Sequence, residues 1–186
     1  KAIVNSVNGD EESLDSVLPI VKKYGAAVIG LTLDKSGIPK TAKQRFQIAE
    51  RILNRALEYG IPRESVFIDC LTLTASAEQE GASETLKAVR MCKEKLGLKT
   101  VLGVSNISFG LPRRELLNQT FLTLALAHGL DLPIINPNAV SMMNAEGLSG
   151  FFTTLTRAGQ SISGLWLKKW SLNRPQIRLE ILRGPT

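Results

Sequence analysis

Four polar side chains stand where short apolar runs end: Asn5 after Ala2-Ile3-Val4, Asp69 after Val66-Phe67-Ile68, Asn106 after Thr100–Ser105, and Asn136 after Leu132–Ile135. Ser105 stands beside the third. An amide offers a donor and an acceptor on one side chain, and a carboxylate accepts from amino and ring N–H groups. The set provides hydrogen bonds to a ligand, not a nucleophile. Other candidates have plainer readings. His128, the single histidine, precedes Gly129 at a helix end and reads as a partner of the helix dipole. Cys70 has no histidine near it in sequence and reads as a buried structural thiol. Ser36-Gly37 lacks the glycine-rich run of a phosphate cradle. A strand-end Asn taken alone is more often a turn or cap residue, so the four positions acquire meaning only from the elements that hold them.

Those elements repeat. Thr100–Val104 is a short apolar, β-branched run that suits a strand buried on both faces. A polar, glycine-containing turn follows at Ser105–Pro112, and from Arg113 apolar residues recur at Leu116, Leu117, Thr120/Phe121, Leu124 and Ala125 with a helical period. This is a βα unit, in which groups at the carboxyl end of the strand do the chemistry. Strands are likewise predicted at Ala2–Ser6, Ala26–Leu33, Val66–Leu71 and Leu132–Asn136. The first helix runs to Tyr24 with Leu14, Val17, Leu18 and Val21 on one face and Gly25 as its stop; Pro19 predicts a kink or an irregular first half. The second starts at Thr41, whose spacing to Gln44 is a capping-box signature, and turns Phe46, Ile48, Ala49, Ile52, Leu53, Ala56 and Leu57 inward before Gly60. A long loop at Thr72–Gly81 precedes a third helix from about Ser83 to Leu96. Strict alternation of strand and helix predicts a parallel sheet with right-handed crossovers. Either an open doubly wound sheet or part of an eightfold barrel satisfies it, and a complete barrel needs about 250 residues.

Bulk properties exclude several classes. The 186 residues suffice for one domain with a sizeable core. No apolar run reaches the ~20 residues of a membrane span, and two isolated cysteines fit a reduced, cytoplasmic setting. Of the net charge of +6, five units lie in the tail: six of 23 basic and one of 17 acidic residues fall beyond Gly150, leaving 17 against 16. Nucleic-acid binding is therefore not expected. The start at Lys1, directly before a strand-like run, reads as a fragment's end.

Residues 103–112, GVSNISFGLP, followed by RRELLNQTFL, resemble the pterin-binding barrel of corrinoid-dependent methyltransferases. IVNS at Ile3–Ser6, IGLTLDKSGIPKT at Ile29–Thr41, FIDCLTL at Phe67–Leu73 and IINP at Ile134–Pro137 match in the same order. That family includes the folate domain of cobalamin-dependent methionine synthase and the methyltetrahydrofolate:corrinoid iron-sulfur protein methyltransferases of acetogens. The resemblance implies an α/β fold, the last five or so units of a (β/α)8 TIM barrel, over residues 1–145, with a divergent basic tail at 146–186. It implies methyl transfer in one-carbon metabolism from 5-methyltetrahydrofolate to cob(I)alamin, a corrinoid cofactor carried on a partner domain or protein. Asn5 and Asp69 are then substrate-binding, with Ser105, Arg114 and Asn136 completing the set. Asn106 is catalytic, near the N5 position that bears the methyl group. No protein nucleophile and no metal ligand are needed, because the corrinoid is the nucleophile. Cys70 departs from the family's proline, and the barrel's earlier strands, which carry further pterin ligands, are not in this chain.

Two other readings stay open. A dihydropteroate synthase-like barrel also binds a pterin, but its pyrophosphate leaving group favours basic residues at the strand ends. A non-catalytic folate-binding module is the other. Exposed sheet edges would favour homo-oligomers. Met142-Met143 and Phe151-Phe152 read as core, and Gln176–Leu182 alternates like an amphipathic strand.

Overall fold

The computed structural model describes residues 1–147, within a unit spanning Lys1–Gly150. Strands and helices alternate as β1 (Ile3–Val7), α1 (Glu11–Lys23), β2 (Ala27–Leu31), α2 (Ala42–Glu58), β3 (Val66–Asp69), α3 (Gly81–Leu96), β4 (Lys99–Gly103), α4 (Arg114–Ala127) and β5 (Leu132–Ile134). Short 3-10 turns at Arg63–Ser65 and Val104–Ser108 precede β3 and follow β4. Residues 140–147 are helical. The divergent tail expected from residue 146 lies outside the described residues beyond 147, as do Phe151-Phe152 and the strand expected at Gln176–Leu182. Among the described residues no helix is long and apolar enough to cross a membrane.

All adjacent strands pair in parallel, in the spatial order β1-β2-β3-β4-β5. Chain order and spatial order coincide, so right-handed crossovers lay every helix against one face. A doubly wound sheet instead reverses its strand order part-way. The described residues are thus consecutive units of a (β/α)8 barrel.

Side-chain alternation divides each strand between two environments. Val28, Ile68 and Leu102 point to the helices and join Leu18, Ile52, Val89 and Leu122 in the main core, all of them buried. On the other face Ala27, Phe67 and Val101 form a small second cluster with Ile29 against it. That inner face stays partly open: Ile3 is 53% exposed, Leu132 42% and Ile134 53%.

Several local expectations are corrected. α1 runs unbroken through Pro19, whose ring lies on the exposed side, where the carbonyl it leaves unbonded meets water. Thr41 does cap α2 by accepting from Gln44 N–H, but the Gln44 side chain takes the Thr41 hydroxyl and not its backbone N–H. α2 buries Ala42 and Arg45 on its inner stripe, while Leu57 is 41% exposed. α3 begins at Gly81, ahead of the expected Ser83. α4 buries Phe121, Leu122 and Ala125 and leaves Leu116, Leu117 and Leu124 exposed, because its contacts are with α3 and the Val104–Ser108 turn on one side. Met142 is buried, whereas Met143 is not.

Gly30 sets how closely β2 approaches α2: a Cβ placed there lies 2.7 Å from Ile52 Cγ2. Gly30→Ala is expected to destabilise the chain by about 1–3 kcal/mol through overpacking. Urea unfolding checks this as a lower midpoint at unchanged slope.

Candidate functional site

Strand register decides which of the predicted residues share a surface. Asn5 pairs with Ile29, Ile29 with Phe67, and Phe67 with Lys99, one row of the inner face. The next row is Leu31, Asp69, Val101 and Leu132. Asn5 and Asp69 thus point the same way, two strands or roughly 10 Å apart across the sheet. Asn5 stands inside β1 and not at its end, as sequence had suggested; the register slips between Asn5 and Val7.

Asp69 ends β3, and its Oδ1 accepts the Leu71 N–H at 2.8 Å. Leu71 has φ +59°, the left-handed region that leucine rarely adopts. Burial pushes the Asp69 carboxyl up to about 6, and the Leu71 N–H bond works in the opposite direction. Among the described residues Oδ2 has no hydrogen bond of its own, which leaves an acceptor for a ligand.

Asn106 stands on the turn after β4, three residues beyond Gly103, which belongs to the same inner face as Asp69. Its side chain lies over Gly103, where an added Cβ would come within 3.0 Å of Nδ2. The amide is exposed and makes no hydrogen bond among the described residues. Arg114 braces this turn. Its Nε donates to Ser108 Oγ at 3.0 Å, its Nη2 to the Ser105 carbonyl at 3.3 Å, and its guanidinium stacks 4.7 Å from the Phe109 ring centroid.

The remaining predicted residues gather elsewhere. Ser105, Arg114 and Asn136 line a hollow of about 570 Å³ with Glu115, Asn118 and Asn138, which neither Asp69 nor Asn106 reaches. Asn136 lies beyond the end of β5 and spends its Oδ1 on the Asn138 N–H at 3.0 Å, the turn role that is commonest for such an asparagine. The predicted set therefore splits into an inner-face group, Asn5, Asp69 and Asn106, and a rim group, Ser105, Arg114 and Asn136.

Cys70 and Cys92 are both wholly buried, with their sulfurs 3.9 Å apart. The bond to Cys92 and burial push the Cys70 thiol well up, as a structural thiol requires. His128 closes α4 with Nδ1 against the Leu124 carbonyl at 2.8 Å. Among the described residues no group of three His, Cys, Asp or Glu side chains is placed to hold a metal ion.

Comparison with known proteins extends the geometry. The family of pterin binding enzymes matches residues 1–136. The chain belongs to that family. Methionine synthase of Mycobacterium tuberculosis is 36% identical over 157 residues, covering 77% of this chain and 13% of that protein. The Mycobacterium leprae methionine synthase is 34% identical over the same shares. Methylcorrinoid:tetrahydrofolate methyltransferase of Eubacterium limosum is 29% identical over 146 residues, 77% of this chain and 54% of that one. The chain thus spans about an eighth of the synthases and about half of the methyltransferase. Among solved structures, a dihydropteroate synthase from Coxiella burnetii in complex with pteroic acid has a TM-score of 0.58 at 17% identity, covering 85% of this chain and 62% of that one. This last likeness concerns the fold alone.

Within this pterin-binding fold, sequence reasoning passed over Arg45, the largest wholly buried side chain. The signal was present. Ala42, Arg45, Ala49, Ile52 and Ala56 recur at intervals of three and four, so an arginine stands on the inward stripe of α2.

Asp69 carries a stability consequence. Its folded carboxyl titrates near 6 against an ordinary 3.8, so the native state holds the proton more tightly than the unfolded one. The stability this supplies is present below about pH 4 and lost as pH rises through about 6. Asp69→Asn keeps an acceptor for Leu71 N–H and is expected to stabilise the chain by about 1–2 kcal/mol at about pH 7.5, allowing for partial exposure. At about pH 4 it should change nothing measurable. Urea unfolding at both pH values tests this, and an equal effect at both would mean an unperturbed carboxyl.

Proposed function

We propose that this chain binds a reduced folate on the inner face of its sheet and takes part in methyl transfer between 5-methyltetrahydrofolate and a corrinoid carried on another domain or protein. The observation that carries this reading is the desolvated Asp69 carboxylate, flanked on the same face by the uncommitted Asn5 and Asn106 amides. A pterin edge alternates amino and ring N–H donors with acceptors. Asp69 accepts from its amino edge, and Asn5 supplies both functions. Burial of Asp69 strengthens its bond relative to water.

Asn106 has the separate task. As the N5–methyl bond breaks, negative charge grows on N5, and a hydrogen bond from the amide strengthens with it. The same bond serves transfer in either direction, since both directions cross one transition state. Two of the relatives, a methionine synthase and a methylcorrinoid:tetrahydrofolate methyltransferase, support a family that handles methyl groups. The corrinoid supplies the atom that exchanges the methyl group with N5. The described residues suit a face approached by that group, with Asn106 and Phe109 exposed at the mouth. They do not suit a site that ligates it, since the one histidine is engaged at the end of α4. Arg114 and Ser105 then act by bracing the Asn106 turn, and Asn136 shapes the rim.

Calorimetric titration of 5-methyltetrahydrofolate into the chain tests the binding half. Asp69→Asn is expected to weaken binding by about tenfold or more through loss of a charge-assisted bond. Asn106→Ala is expected to leave affinity within about fivefold while lowering methyl transfer to a corrinoid by about a hundredfold. Equal losses of binding and turnover in the two variants would overturn the division of roles. No saturable binding by the unaltered chain would sink the reading for this chain by itself.

A further inference from the structure

The exit of β3 is held from behind by a buried cation. Arg45 of α2 is fully enclosed, and no carboxylate forms an ion pair with it among the described residues. Its Nε donates to the Pro39 carbonyl at 2.8 Å. Its Nη1 donates to the carbonyls of Cys70 and Leu71, each at 3.1 Å, and to Thr85 Oγ1 at 2.8 Å. The Thr85 hydroxyl in turn shares its one proton between the same Leu71 carbonyl at 3.0 Å and the Gly81 carbonyl at 2.8 Å. A charge taken wholly out of water demands such compensation, and here main-chain carbonyl dipoles supply it to Nε and Nη1, while Nη2 is buried without a hydrogen-bond partner among the described residues.

Leu71 is consequently gripped at both ends of its main chain. Its N–H goes to Asp69 Oδ1 and its C=O to Arg45 and Thr85. Nothing about a leucine favours φ +59°; such a residue costs of order 1–3 kcal/mol and persists only where its surroundings over-determine it. We propose that Arg45 is a positioning residue: its guanidinium ties the loops after β2 and β3 together and keeps Leu71 in the left-handed turn from which its N–H orients the Asp69 carboxylate. This rests on the reading of Asp69 as the pterin acceptor for its functional meaning, but not for its geometry.

The surroundings of Asp69 isolate the effect. Its register neighbours, Leu31 and Val101, carry no charge. Lys99 of β4 lies one row away, over the Phe67 ring at 5.7 Å. From α3, Glu84 is engaged with the Ala42 N–H and Lys87, and Cys92 with Cys70, whose thiol stays protonated. Arg45 is the cation of α2 beneath this loop.

The experiment is a ¹³C titration of the Asp69 carboxyl in the full chain, without ligand, for the unaltered protein and for Arg45→Met, Leu71→Gly and the double variant. Arg45→Met is expected to raise the Asp69 midpoint by about one pH unit, because the Leu71 N–H no longer stabilises the anion. Leu71→Gly adopts the left-handed turn at little cost, so it should leave the midpoint unchanged alone and reverse most of the shift in the double variant. That rescue separates positioning from the simple loss of a nearby positive charge, which glycine cannot restore. An unshifted midpoint in folded Arg45→Met, or a shift that Leu71→Gly does not reverse, overturns the proposal. Should Arg45→Met fail to fold, Thr85→Val removes the second donor to Leu71 and decides: a smaller upward shift supports the proposal, and none overturns it. Binding of 5-methyltetrahydrofolate is measured separately on the same samples. Its absence in the unaltered chain would defeat the functional reading while the titration still judges Arg45.

Discussion

When parallel strands follow one another in space in the order of the chain, every right-handed crossover must pass over the same face. This constraint governs the rest of the molecule. It gives the helices one side of the sheet and leaves the other free of them. Alternation along each strand then sorts neighbouring residues into opposite environments. At the end of β3, Asp69 faces inward with Leu31 and Val101, while the adjacent Cys70 is buried behind the sheet with Cys92. The main core is built on the outer face, and Asn5 and Asp69 stand on the inner one.

The two faces meet at the strand exits, and there most polar groups are paired, with Arg45 Nη2 and Thr72 Oγ1 buried without partners among the described residues. Asp69 spends one carboxylate oxygen on Leu71 N–H, and the other has no partner among the described residues. The Asp69 carbonyl is also engaged, by the N–H and hydroxyl of the buried Thr32. Behind the strand, Arg45 donates to the carbonyls of Pro39, Cys70 and Leu71. A leucine in a left-handed conformation is a local conflict, and such conflicts are expected where function overrides local preference. The turn after β4 follows the same logic with milder means: Arg114 grips Ser105 and Ser108, and Asn106 stays free.

The open inner face belongs with the limited span of the chain relative to its family. Ile3, Leu132 and Ile134 line that face with substantial exposure, although their register matches that of the buried Ala27 and Val101. The helices, by contrast, complete a continuous core against the sheet's other face. The pterin-binding fold thus keeps its units packed one by one against their helices.

Local patterns in the sequence were enough for the alternation of strand and helix, the parallel sheet, and the place of Asp69 at a strand end, while the choice of barrel over doubly wound sheet came from the family resemblance. Each is written in short-range signals: continuous β-branched runs, helical periods, and glycines such as Gly25 and Gly97 whose positive φ stops a helix. Asp69 and the Asn106 turn were legible because they sit directly after such runs. The turn role of Asn136, the exposed leucines of α4 and the place of Asn5 within β1 were not, since each depends on which neighbour arrives beside it. Arg45 is the sharpest case. Its position on the inward stripe was visible, but its partners are carbonyls of loops up to 26 residues away. Only the tertiary fold brings those dipoles to the guanidinium, and only there does burying the charge become tolerable.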